Sequence, residues 1–284
     1  MISLMNFQQF ATTSFGTKLW MGLGKWLPPA VGHRLADLIT GFLARRRDSN
    51  LYRILYANQS VVLGDRATPP DIDRGVRDVL RHAGMGSYDL MHLFSKSQEE
   101  VRRAVIWGDD VWGNLTRARA TGRGIMLCGI HLSNFNLGFL SLALRDWPVQ
   151  VLSFAAEEGG GFKIISDLRS SGLLEDTPIS PGALRAAIKR LRAGGTVVTG
   201  IDWPVPIDEA DQVEFFGRET YLPTGHVRMA LSANALMIPI ACRWSRERGY
   251  YVQTEPAIEL EVTGNRQFDV VHNARRILAI CERW

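Results

Sequence analysis

The stretch GIHLSNFNLG, residues 129 to 138, places His131 at the end of an apolar run and Asn136 five positions later. Histidine is the side chain whose ordinary pKa suits proton exchange near neutrality, so His131 is a candidate general base. Ser133 and Asn134 are good N-cap residues for the apolar helix expected from Phe135 onward. His131 then falls in a strand-to-helix turn, and Asn136 in the first helical turn, able to face back toward it. A carboxylate at 136 would fix the imidazole tautomer and offset the charge on the ring as it takes a proton from a hydroxyl. An amide can fix the ring but carries no charge. The first-turn amides of such a helix are open to an anion or a developing oxyanion. An ordinary capped turn with a surface histidine fits the same ten residues.

A second group lies in GIDWPVPIDEADQVEFFGRETYLPTGHVRMALSANALMIPI, residues 200 to 240. Asp202 directly follows an apolar run, where α/β sheets place ligand residues, and the acidic, proline-containing segment up to Asp211 reads as a loop. VEFFG is a short strand-like run. Pro223, Thr224 and Gly225 lead into a helix whose first amides, with Arg228 close by, suit a phosphate or carbonyl oxygen. A plain helix cap at Thr224 and Gly225 and a solvated acidic loop fit the same residues.

These groups need a scaffold, and the chain supplies its pattern. GIMLCGI (124 to 130), VQVLSF (149 to 154), GTVVTGI (195 to 201) and LMIPIACRW (236 to 244) are continuous apolar runs typical of strands buried on both faces. Helical patterns lie between them. The clearest is ALRAAIKRLRAGG, with Leu184, Ala187, Ile188 and Leu191 as the buried stripe and Gly194 as the stop. The alternation predicts an α/β fold with a largely parallel central sheet flanked by helices. From residue 71 a helix is expected with Val76, Val79, Leu80 and Ala83 on one face and Gly84 and Gly86 as stops, then a second helical stretch from Tyr88 to Phe94. At the end, Ala274, Ile277, Leu278 and Cys281 share a face. The chain stops at Trp284 inside that pattern, without a cap or polar tail, which suggests an incomplete C-terminus.

With 284 residues and 46% hydrophobic content the chain can bury a sizeable core. Its 33 Lys and Arg against 29 Asp and Glu give +4, too mild for a nucleic-acid binder and compatible with anionic lipid or a phosphate-bearing substrate. Cys128, Cys242 and Cys281 are far apart in apolar surroundings and read as reduced, buried thiols of a cytosol-facing protein. Residues 1 to 17 form neither a clear signal peptide nor a spanning helix. Trp20, Leu23, Trp26 and Leu27 recur at helical spacing with Lys18 and Lys25 nearby, which suits a helix in a membrane interface. After Pro28 and Pro29 a second helix carries Leu35, Leu38, Ile39, Phe42 and Leu43 on one face and ends in Arg45, Arg46 and Arg47, a cluster suited to anionic headgroups. Two amphipathic helices packed on the core would show the same pattern.

In order, these pieces resemble the lysophospholipid acyltransferase superfamily, in its branch of bacterial lipid A biosynthesis (lauroyl/myristoyl) acyltransferases and the phosphatidylinositol mannoside acyltransferase. LYRILYANQSVVLG is similar to the family's N-terminal region, GRGIMLCGIHLSNFNLG to its H-x-x-x-x-D/E block, and residues 200 to 240 to its later acidic and FFG block. The resemblance implies a glycerolipid acyltransferase-like fold, with membrane-associating amphipathic helices over 1–70 and an acyltransferase domain over 71–284. It implies acyl transfer from acyl-CoA or acyl-carrier protein to a hydroxyl of a membrane lipid or glycolipid, at the cytoplasmic face of the inner membrane. No metal, cofactor or covalent enzyme intermediate is implied. His131 matches the general base, Asn134 and Phe135 the residues before the acid, Asn136 the acid position itself, and Asp202 the later acid. Gln212 and Glu214 fall near further polar positions, and Phe215, Phe216 and Gly217 match FFG, whose aromatics the resemblance places beside the acyl chain. The departure at Asn136 leaves three readings: Asn136 orients His131 while Asp202 or Glu214 supplies charge, the enzyme is slow or takes a different acceptor, or the protein is a non-catalytic acyl-lipid-binding homologue. A soluble α/β hydrolase is disfavoured, because the chain has no G-x-S-x-G nucleophile elbow.

Overall fold

The computed structural model describes residues 14–153, 174–203 and 211–284. The expectations for residues 1–13, for Phe154, for the proline-containing segment 204–210 and for the Trp20 side chain lie outside the described residues. By its contacts the chain divides into two compact units, Met1–Ser97 and Gln98–Trp284.

The first unit is helical: α1 (Ser14–Trp26), α2 (Pro29–Arg45), α3 (Asn50–Leu63) and α4 (Pro69–Phe94). Residue 70 lies at the start of α4, which packs on α1, α2 and α3, so α4 belongs with this unit. Pro69 at its first position and a Thr68–Asp71 capping box begin α4. It then runs unbroken through Gly84 and Gly86, correcting the expected stop there. A Cβ at Gly84 would meet Thr40 Cγ2 at 2.7 Å, so this glycine lets α2 approach instead of ending the helix. Ala83, expected on the inner face, is exposed, and Ile72, Val76 and Leu80 are buried. The face of α2 packed within this unit is not its apolar one. Its buried stripe is Gly32, Ala36, Thr40 and Ala44, while Leu38 and Phe42 are 73% and 57% exposed. The reason is steric: small residues at every fourth position bring two backbones close, and the large apolar residues are left on the far side. Tyr88 seals the contact, with its ring against Gly32 and its hydroxyl donating to the Leu27 carbonyl at 2.7 Å.

The second unit is built on a seven-stranded sheet among the described residues, in the order β1-β9-β8-β2-β5-β3-β4. Its strands are β1 (Val105–Ile106), β2 (Ile125–Gly129), β3 (Val149–Ser153), β4 (Leu174–Pro178), β5 (Thr196–Gly200), β8 (Leu236–Ser245) and β9 (Gly249–Thr254). The run from β8 to β4 is parallel, β9 is antiparallel to β8, and β1 is parallel to β9. The four apolar runs noted in the sequence are the buried strands β2, β3, β5 and β8, as continuous hydrophobicity requires of strands covered on both faces.

Helices α5 (Gln98–Ala104), α6 (Asp109–Ala120) and α7 (Phe135–Ala143) precede or follow the early strands; α8 (Pro181–Arg192), α9 (Gly225–Ala233) and α10 (Arg266–Cys281) follow later. Met126 and Cys128 of β2, Val197 of β5, and Met237 and Ala241 of β8 share one core with Ala187 and Leu191 of α8, Ala230 of α9, and Ala274, Ile277 and Cys281 of α10. On the other face α7 lies on β8, where Gly138 leaves room for Cys242, and Asn114 of α6 donates to Thr254 at 3.1 Å. An antiparallel hairpin, β6 (Asp211–Phe215) and β7 (Arg218–Leu222), packs on α10.

Candidate active site

The two chemistry-bearing strands are neighbours. Gly129, the last residue of β2, pairs with Gly200, the last residue of β5, and Ile201 N–H donates to the Gly129 carbonyl at 3.0 Å. His131 and Asp202 each lie two residues beyond this pair, so the sheet's own register brings them together at the carboxyl ends of its strands. Asp202 grips His131 twice: Oδ2 accepts the His131 backbone N–H at 2.9 Å and Oδ1 lies 2.6 Å from ring Nδ1. An ionised carboxylate only accepts, so the ring proton sits on Nδ1, and among the described residues nothing bonds the Nε2 lone pair.

The backbone bends sharply at this point. Leu132 N–H reaches the Ile130 carbonyl at 2.9 Å, a three-residue turn centred on His131, and Ser133 has φ +46°. The imidazole is held on its sides as well. Phe135 meets it edge-on with centroids 4.6 Å apart, and Trp203, itself 54% exposed, lies at 5.6 Å. A Cβ at Gly200 would stand 2.6 Å from His131 Cε1, so glycine here is a condition for the ring's position.

Beyond the turn, Asn134 is the N-cap of α7, with no side-chain cap hydrogen bond. The Leu137 and Gly138 amides return to the Asn134 carbonyl, at 3.1 and 3.3 Å, while those of Phe135 and Asn136 have no intrahelical partner available. Among the described residues Asn136 makes no hydrogen bond to the imidazole, and its Oδ1 is buried without a hydrogen-bond partner. Orientation and charge therefore both reach His131 from Asp202. The arrangement can take a proton at Nε2, stabilise the resulting imidazolium, and offer backbone amides to negative charge.

The remaining predicted residues fall elsewhere. Glu214 is exposed on β6 opposite Glu219, and Gln212 on the same strand donates to Glu219. Phe216 and Gly217 are the two-residue turn of the β6–β7 hairpin, with φ +52° and +66°; the Phe216 N–H donates to Glu282 Oε1 at 2.6 Å. Phe215 packs into the core shared with α8 to α10, 4.6 Å from Phe216. Thr224 is the N-cap of α9, but its hydroxyl donates to Asp211, and Gly225 opens the helix. Arg228 Nη2 donates to Asp211 Oδ2 at 2.7 Å and Gln267 Nε2 to Asp211 Oδ1 at 2.7 Å. Burial would raise the Asp211 carboxyl, but the Thr224, Gln267 and Arg228 hydrogen bonds and the guanidinium charge outweigh it and hold the pKa below its ordinary value. Arg228 thus clips β6, α9 and α10 together. Sequence reasoning missed this role of Asp211, as well as Gly200, Trp203 and Glu282; their partners are distant in the chain, and only for Gly200, closing an apolar run before an acid, was there a local hint. The Cys281 thiol, at the end of α10, is pushed up to about 12 by burial and then by the negative charges of Asp202 and Glu282. Among the described residues no three or more His, Cys, Asp or Glu gather as a metal site, and no helix is long and apolar enough to cross a membrane.

Two curated relatives, the phosphatidylinositol mannoside acyltransferases of two strains of Mycobacterium tuberculosis, are each 26% identical over 251 residues, covering 84% of this chain and 75% of theirs. The profile of the bacterial lipid A biosynthesis acyltransferases matches residues 4–284, nearly the whole sequence, and the chain belongs to that family.

Proposed function

We propose that the protein transfers an acyl chain from a thioester donor, acyl-CoA or acyl-carrier protein, to a hydroxyl of a membrane glycolipid or lipid. The observation that carries this reading is the doubly gripped His131–Asp202 pair, set at the strand ends beside the open amides of α7. His131 Nε2 takes the acceptor's hydroxyl proton as its oxygen attacks the thioester carbonyl. Asp202 stabilises the imidazolium, and the Phe135 and Asn136 amides receive the developing oxyanion. The C–S bond then breaks and the leaving thiolate takes the proton back. General base catalysis supplies roughly 10² to 10⁴ in rate, and each oxyanion donor about 10² to 10³. No metal or covalent enzyme intermediate is needed.

The relatives' names support a glycolipid acceptor. The first unit supports docking at the cytoplasmic face of the inner membrane. Leu19, Trp26, Leu38 and Phe42 are exposed large apolar residues, and the Lys25 and Arg46 cations lie over the Trp26 and Phe42 rings, each 5.4 Å from the centroid. Apolar side chains beside cations suit an anionic bilayer surface. The test is release of free thiol from acyl-CoA or acyl-carrier protein in the presence of glycolipid and lysolipid acceptors. Wild type is expected to turn over and His131→Ala to fall by at least about 10³. Acyl-lipid binding without thiol release above the His131→Ala background, across the acceptor panel, would leave a binding homologue in place of an enzyme.

A further inference from the structure

A cleft of about 310 Å³ runs along β9 beside β1 and the start of α6, and Arg248, Tyr251, Gln253, Asp110 and Glu255 are among its lining. Its lining reaches the same end of the sheet as His131. Gly129 pairs with Ile240, and Ile240 with Thr254, so Thr254 lies in the same cross-sheet row as the end of β2. Two strand spacings separate them, about 10 Å. Tyr251 pairs with Arg243, three residues further in the direction in which His131 leaves β2.

The Arg248 cation lines the cleft, and Arg243 of β8, paired across the ladder with Tyr251, lies next to it. The Arg248 guanidinium lies over the Tyr251 ring, 4.5 Å from the centroid, and that of Arg243 at 5.9 Å, with Arg243 Nη1 donating to Gln253 Oε1 at 2.9 Å. Among the described residues neither arginine pairs with a carboxylate, in contrast to Arg123, Arg190 and Arg228, each of which does. A guanidinium set against an aromatic face is pre-organised and keeps its N–H edge free for bidentate contact with a phosphate. The acceptors around it argue against a bare anion. Asp110 and Glu255 line the same cleft, and Glu255 is only 3.6 Å from Arg283 Nη2. Carboxylates beside unpaired guanidiniums fit a ligand that presents hydroxyl donors together with its phosphate.

We propose that this cleft binds a phosphorylated polyol, and that it thereby seats one of the two substrates of acyl transfer. The second clause rests on the function proposed above. Two sources share this chemistry: the phosphorylated headgroup of a lipid acceptor and the ribose phosphate of CoA.

Binding is tested on the full chain with glucose 6-phosphate, glucose and inorganic phosphate, by titration calorimetry or NMR. Glucose 6-phosphate is expected to bind saturably and more tightly than either of the others. Arg248→Ala and Arg248→Lys are each expected to weaken it at least tenfold, since lysine keeps the charge and loses the fork. Arg246→Ala removes a charge from the same exposed turn without lining the cleft and should change binding less than twofold. No saturable binding, or equal weakening by Arg246→Ala and Arg248→Ala, overturns the site. In turnover assays the KM of Arg248→Ala should rise about tenfold for the acceptor or for acyl-CoA, and which of them rises assigns the source. A rise for neither overturns the substrate role. If Arg248→Ala has no effect while His131→Ala abolishes thiol release, the cleft proposal fails and acyl transfer stands. If glucose 6-phosphate binds as expected but wild type releases no thiol above the His131→Ala background, the cleft stands and acyl transfer fails.

Discussion

At the scale of single residues, the carboxylate that meets His131 comes from position 202 and not from position 136. Replacing Asp202 with Asn keeps a side chain that can accept from Nδ1, yet removes the charge and permits the wrong tautomer. In a serine-protease triad the corresponding change costs about 10⁴ in rate, and Asp202→Asn is expected to lower thiol-release turnover by about 10³ to 10⁴. Asn136→Ala removes a carbonyl oxygen that bonds to nothing and should cost less than about tenfold. Steady-state kinetics of both variants decides the matter; an equal loss would mean that Asn136 acts in the transition state in a way its ground-state contacts do not reveal. His131 was legible from its place before a helix N-terminus, and Asp202 from following an apolar run. Their mutual contact was not, because it spans 71 residues and depends on the pairing of Gly129 with Gly200. That register comes from the folded sheet, and no local spacing encodes it.

At the scale of elements, legibility followed the strength of the hydrophobic signal. The runs that became β2, β3, β5 and β8 are apolar on both faces and stand out. LEDTP, the strand β4, is polar at an edge and has no such signature. The contacts within the helical unit were not legible for a different reason: they use glycine, alanine and threonine, which a hydrophobic stripe does not register. Gly24 of α1 makes this testable. A Cβ there would come within 2.7 Å of the His92 backbone nitrogen and the Met91 carbonyl carbon of α4, and the His92 Nδ1 contact with the Gly24 carbonyl at 2.7 Å would be displaced. Helix propensity alone favours Gly24→Ala by about 1 kcal/mol. Overpacking against backbone opposes it by about 1 to 3 kcal/mol, so a net loss of thermal stability is expected. Gly22→Ala, whose Cβ would meet nothing within 4 Å, should be neutral or stabilising. Thermal melts that rank the pair the other way would show that α1 does not pack closely on α4 in solution.

At the scale of the whole molecule, acid stability turns on a histidine outside the dyad. His226, the second residue of α9, is 3% exposed, its Nε2 is buried without a hydrogen-bond partner among the described residues, and burial pushes its pKa down to about 4 from 6.5. In the unfolded chain the ring takes up a proton near pH 6.5, whereas in the fold it stays neutral until about pH 4. Between those values the unfolded state binds more protons, so stability falls as pH falls, by up to an order of 3 kcal/mol. Asp211 acts in the same direction at lower pH. Its folded pKa lies below the ordinary 3.8, so its contribution is present above that value and is lost as pH drops through the folded one. His226→Leu replaces the ring with an apolar side chain and removes the orphaned nitrogen. Urea midpoints at about pH 7 and about pH 4.5 should then differ much less in the variant than in wild type, with little loss of stability at neutral pH. Wild type and His226→Leu losing stability in parallel between those two pH values would mean that another group carries the acid sensitivity.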